Sequence, residues 1–202
     1  MSVIIGQKEY FKNINEVKFE GKDSDNPLAY RYYDSERVVM GKSMKEHFKF
    51  AIAYWHSFVN TGNDPFGPGT KEYPWSESSD VHQRAYDKMD AAFEFISKLG
   101  LEYFCFHDFD LIDEGKSLSE SEDRLHKISE YALSKMNSTR MKVLWGTANL
   151  FSNPRYMNGA ATNPDFSVVS YAGAQVRNAL NITQTLGVEN YVYCGGREGD
   201  TS

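Results

Sequence analysis

Tyr103-Phe104-Cys105-Phe106-His107-Asp108-Phe109-Asp110 is a short apolar run, rich in aromatics, that ends in a histidine and two carboxylates. It follows a helix-like segment that closes at Leu99-Gly100. A buried strand that delivers polar residues only at its carboxyl end is how α/β proteins build sites. His107 and Asp110 are three positions apart. On a regular strand they would face opposite sides, because side chains alternate. They meet only if the chain turns directly after His107. If it does, Asp110 can fix the tautomer of His107 for acid–base work. The plainer alternative is that these carboxylates solvate a loop.

Working outward, similar units stand on both sides. Upstream, Phe48 to His56 is nearly all apolar, as expected of a strand covered on both faces, and a Gly/Asn/Pro-rich loop follows from Asn60 to Thr70. A loop of that length suits a functional or contact-forming role. Asp80 is placed to cap a helix reaching Lys98, with Val81, Ala85, Met89, Ala92, Phe93 and Ile96 at a helical period and Gly100 as the stop. Downstream, a second helix is predicted over about residues 119–136, with Leu125, Ile128, Ala132 and Leu133 on one face. Lys142 to Thr147 reads as a third strand, Pro164-Asp165 opens a third helix that runs through Leu186 to Gly187, and Glu189 to Cys194 reads as a fourth strand. Residues 1–47 are mostly polar, with a short helix possible over Lys42 to His47, and read as an N-terminal arm. Residues 48–202 carry the β-α-β-α-β-α-β pattern. Such alternation predicts parallel pairing and right-handed crossovers. The spacing of roughly 45 residues per unit suits half of a TIM-type (β/α)-barrel, with four parallel strands. Four strands leave two open edges and an uncovered inner face, which pairing with a second copy would close.

Composition bounds the function. The 202 residues carry a formal net charge of −6 and show no Lys/Arg cluster, which argues against nucleic acid as a partner. Cys105 and Cys194 are too far apart for a redox or zinc CxxC, and each lies in an apolar run, where a buried reduced thiol is expected. Met1 to Gly6 is too short for a signal peptide and no run approaches 18 apolar residues, so a cytoplasmic protein with no membrane contact is expected. Gly195-Gly196-Arg197-Glu198-Gly199 lacks the spacing and the lysine of a phosphate loop.

Five blocks then carry a resemblance. They are Phe48 to His56 with Asn63-Asp64-Pro65-Phe66-Gly67; Phe104 to Asp110; Trp145-Gly146-Thr147-Ala148-Asn149-Leu150-Phe151; Arg155 to Asp165; and Leu186 to Val192 with Gly195 to Gly199. In this order and at this spacing the chain resembles the N-terminal half of the xylose isomerase family, from about Tyr10 to Gly199. The resemblance implies a (β/α)8 barrel that usually assembles into tetramers. It implies interconversion of D-xylose and D-xylulose, and often of D-glucose and D-fructose, with divalent cations such as Mg²⁺, Mn²⁺ or Co²⁺. By the same resemblance His107 binds the sugar's ring oxygen and assists ring opening, with Asp110 orienting it. Trp55 matches an apolar wall against the sugar, although capping the barrel end would also suit it. Thr147 and Phe151 match pocket-lining residues, and Trp145 fits core packing. Phe66 matches an aromatic that the family inserts into a neighbouring subunit's site, which would make a homodimer or larger homo-oligomer part of the function.

The pattern also breaks. Cys194 stands where the family has a Trp of the sugar's apolar sandwich. The family's metal-binding carboxylates and His, and its catalytic Lys, fall beyond Ser202, so no metal ligand is assigned here. Asp108, Asp110, Asp113, Glu198 and Asp200 are the carboxylates from which a substitute cation site could be made, a set that a dimer would double. The expectation is therefore a xylose isomerase-type aldose–ketose isomerase. The rival is a sugar-binding half-barrel without catalysis.

Overall fold

A computed structural model of the chain describes residues 4–188 and 190–198. Its centre is a parallel three-stranded sheet in the order β3 (Ala51–Ala53), β4 (Tyr103–His107), β5 (Lys142–Thr147). The register sets Ala53 beside Cys105 and, past an irregularity at Phe104/Cys105, His107 beside Thr147. Ahead of the sheet lie a small antiparallel hairpin, β1 (Val38–Val39) with β2 (Lys42–Ser43), and helix α1 (Met44–His47). The remaining helices are α2 (Val81–Lys98), α3 (Asp108–Leu111), α4 (Leu118–Ser138) and α5 (Phe166–Thr185).

The helix signals at Asp80, Asp165, Gly100 and Gly187 act as the sequence predicts, and Ser117 adds a further cap. Asp80, Ser117 and Asp165 cap α2, α4 and α5 by accepting from the amides of His82, Glu120 and Ser167. Gly100 and Gly187, at φ +66° and +73°, end α2 and α5. In each case the glycine amide and the next one fold back on the last turn: Gly100 N donates to Ser97 O and Leu101 N to Ile96 O, Gly187 N to Gln184 O and Val188 N to Thr183 O. Met89, Phe93 and Ile96 of α2 and Leu125, Ile128 and Ala132 of α4 are sealed with Phe104 and Phe106 of β4 in one core. Each large side chain so buried contributes about 1.5–3 kcal/mol. Leu133, expected on that apolar face, is exposed. Gly146 lets α5 approach β5, since a Cβ there would lie 2.4 Å from Thr183 Oγ1.

Two expected strands are cut back. The first keeps only Ala51–Ala53, because Tyr54 is already in the right-handed helical region and Trp55–Val59 form one turn of π-helix. Tyr54 and Phe58 are drawn down into the core by that turn, which overrides the extended preference of the apolar run. The fourth, expected over 189–194, is no strand among the described residues. Its pairing with β5 is one parallel bridge, Gly146 with Tyr191, with Val192 N donating to Gly146 O at 3.1 Å. Glu189, its expected first residue, lies outside the described residues, as do Gly199 and Asp200. The described fold is thus a small α/β unit with a three-stranded parallel sheet, and neither four strands nor a barrel. Cys105 is buried as expected, its thiol pushed up to about 11 by burial and the Asp110 charge. Cys194 is exposed, because the strand that would have buried it does not form.

The polar arm lies along α2. Glu94 accepts the amides of Tyr10 and Phe11 at 2.8 and 2.9 Å, Val17 N donates to Lys98 O, and the Tyr30 hydroxyl donates to Leu99 O. No helix among the described residues is long and apolar enough to cross a membrane.

Candidate functional site

The turn needed after His107 is present. β4 passes directly into α3, with His107 as the residue before the first helical turn. One oxygen of Asp110, Oδ2, accepts both from the His107 amide at 2.7 Å and from Nδ1 of its ring at 2.9 Å. The backbone bond is the capping geometry of a helix start, and the ring bond uses the same oxygen. A carboxylate accepts only, so Nδ1 carries the proton and a neutral ring leaves Nε2 as its lone-pair nitrogen. Nε2 has no hydrogen bond among the described residues. It is also not one of the two sealed, unpartnered side-chain atoms there, which are Tyr54 Oη and His82 Nε2.

Aromatic rings flank this imidazole. The Trp55 ring lies 4.7 Å from it at 65°, brought sideways by the π-helical turn, and Phe151 meets it edge-on at 5.4 Å. Trp145, expected in the core, is half-buried and lies 5.6 Å from Trp55. Thr147 ends β5 beside His107 but is almost fully buried. His107, Asp110, Trp55, Thr147 and Phe151 therefore converge at the carboxyl end of the sheet. Phe66 does not: it is 97% exposed on the Asp64–Gly67 turn and makes none of the ring contacts of this group. Tyr54 lies beneath, its phenol held well above the usual range by burial and the Asp110 charge.

The residues described do not suit a divalent cation. Such an ion takes several oxygens freed for it. Asp108 is spent on three N–H groups, Asp110 on His107, Asp113 on Arg84 at 2.7 Å, and Glu198 takes the Thr162 hydroxyl. Among the described residues no three His, Cys, Asp or Glu are grouped to hold a metal.

The network around Asp108 was not foreseen. The signal was a second carboxylate directly at the strand-to-helix junction, but its partners, Asn149 and Gln175, come from 41 and 67 residues away. Nothing local in the sequence marks such partners.

A parallel sheet with polar and aromatic residues gathered at its carboxyl end has the α/β arrangement, in which that end is where ligand sites are built. No family model matches the chain. Among curated proteins it is 56% identical over 192 residues to the xylose isomerase of Bacteroides thetaiotaomicron, covering 95% of this chain and 44% of that protein. It is 56% identical over 198 residues to xylose isomerase 1 of Xanthomonas campestris pv. campestris, and 54% over 195 to xylose isomerase 1 of Xanthomonas axonopodis pv. citri, each again covered to 44%. The chain is a xylose isomerase homologue that spans less than half the length of these relatives.

Proposed function

We propose that this chain forms the sugar-facing part of a xylose isomerase-type aldose–ketose isomerase, interconverting D-xylose and D-xylulose, in which His107 opens the cyclic sugar. The observation that carries this is the imidazole itself: Nδ1 fixed on Asp110 at 2.9 Å, Nε2 without a hydrogen bond among the described residues, and the rings of Trp55 and Phe151 against it. Nε2 takes the proton of the anomeric hydroxyl. The imidazolium, stabilised by Asp110, returns it to the ring oxygen as the C1–O5 bond breaks, so the proton count is unchanged. Trp55 and Phe151 offer apolar faces to the C–H side of the sugar and keep water from the transfer. The hydrogen shift between C1 and C2 is not assigned to these residues. In this reading the cation that serves that shift (Mg²⁺, Mn²⁺ or Co²⁺) is held by groups outside those described. The working form is a cytoplasmic homodimer or larger assembly. The exposed Phe66 and the open edge of β3 support a further chain or segment packing there.

The test is D-xylose turnover by the full-length protein and its His107→Ala variant. Loss of a positioned acid–base group is expected to lower kcat about 10²–10⁴-fold. The loss should nearly vanish on a three-carbon aldose, which cannot close a ring. Full D-xylose activity in H107A, or equal loss on both sugars, would overturn the assignment.

A further inference from the structure

Asp108 has no task in ring opening, yet it is more deeply buried than Asp110. Its Oδ1 accepts from the amides of Phe109 at 2.9 Å and Asn149 at 2.8 Å, and its Oδ2 from Gln175 Nε2 at 2.7 Å. Gln175, from the middle of α5 and equally sealed, also donates through Nε2 to Asn149 O at 3.0 Å. Its Oε1 accepts the hydroxyl of the buried Tyr156 at 2.6 Å. Both main-chain polar groups of Asn149 are thereby fixed. The Asn149 side chain then starts the next turn, with Oδ1 accepting from Phe151 N at 3.2 Å and Ser152 N at 2.9 Å. That turn delivers the Phe151 ring to the edge of His107.

We propose that Asp108 is a positioning residue of the site: through Asn149 and Gln175 it holds the turn that carries Phe151 against His107, and so builds one wall of the sugar pocket. Three N–H donors converge on Asp108 and no donor is wanted in return, which is what a carboxylate supplies and an amide does not. An amide would keep Oδ1 for two of the donors and turn its own NH₂ on that of Gln175. The consequence for sugar binding rests on the ring-opening reading; the placement of Phe151 does not.

Two variants of the full-length protein test this, Asp108→Asn and the milder Tyr156→Phe, which loosens Gln175, along with a contact to Arg155, and leaves the donors to Asp108 in place. In crystals of D108N the Phe151 ring is expected to leave His107 by about 1 Å or more, and the KM for D-xylose to rise about ten-fold with kcat within about three-fold, since Phe151 is a wall of the pocket and carries no proton in the reaction. Y156F should move both in the same direction and less. If D108N does not fold, Y156F decides alone. A Phe151 ring left in place, with an unchanged KM in a folded variant, overturns the proposal, as does an equal fall in kcat with KM unchanged. A wild-type protein without isomerase turnover would remove the ring-opening reading instead, and the Phe151 position would still decide this one.

Discussion

Glu94 and Asp108 are both buried carboxylates, 0% and 1% exposed, and they are held in opposite ways. Glu94 takes two amides of the N-terminal arm and the ammonium of Lys98 at 3.0 Å. Lys98 in turn reaches Glu9 and the carbonyl of Phe11. Burial works against the Lys98 charge, but the hydrogen bonds it donates to Glu9 and Glu94 outweigh it and hold its pKa above the usual lysine range. Asp108 has three neutral N–H donors, and no lysine or arginine pairs with it among the described residues. Burial pushes its pKa up to about 6, against the pull of Asn149, Gln175 and Phe109. A buried carboxylate paired with a cation acts as a latch, whereas at Asp108 burial without a cation outweighs the neutral donors and favours the protonated form.

The largest effect should come from breaking the latch. Lys98→Met leaves Glu94 sealed without its cation, and breaking a buried pair from one side typically costs about 3–5 kcal/mol. Hydrogen exchange at Tyr10 and Phe11 should accelerate first, because their amides depend on Glu94. A loss below about 1 kcal/mol in urea unfolding would mean that the cation contributes nothing and that the two carboxylates are alike.

The second effect concerns the ring of neutral donors. The pKa of Asp108 is raised on folding, from 3.8 to about 6, so the folded state binds the proton more tightly than the unfolded one. Its stabilisation is complete below about pH 4 and is lost as pH rises through about 6. That interval corresponds to about 3 kcal/mol at most. His107 and Asp110 adjoin it and the Tyr191 phenol faces it, so the informative quantity is the difference from D108N. Wild type should lose stability relative to D108N between pH 4 and pH 6.5. A flat difference would mean that Asp108 is ionised throughout, and the contrast with Glu94 would narrow to geometry.

How far these regions were legible in the sequence follows from the range of their interactions. The caps at Asp80 and Asp165, the stops at Gly100 and Gly187 and the apolar face of α2 are local, and they stand where the periodicity puts them. His107 and Asp110 were legible as a pair conditional on a turn, and Asp110 itself makes that turn by capping α3. The Trp55 position was not legible as drawn, because an apolar run fits a strand or a buried π-helical turn equally well and the core, through Tyr54 and Phe58, decides. The fourth strand failed for the same reason in reverse. Its local signal is good, but only Gly146 of β5 pairs with it among the described residues. Lys98 stands one helical turn from Glu94, but the amides of Tyr10 and Phe11 that make Glu94 an anchor, and Asn149 and Gln175 that make Asp108 one, lie 41 to 84 residues away and were invisible.

The smallest expected effect is also the control for the contrast. Arg177 of α5 meets Glu122 of α4 at 3.5 Å, with side chains 69% and 38% exposed. The pair is again a carboxylate with a cation, but it ties α4 to α5, whereas Glu94 and Lys98 both lie on α2. In water its attraction is screened, and holding two long side chains costs entropy. Arg177→Ala should therefore change unfolding stability by no more than about 0.5 kcal/mol, and less at high salt. If this exposed pair proved worth as much as the buried one, charge pairing alone would explain the latch. The desolvation of Glu94 and of Asp108 would then lose its place as the cause that separates them.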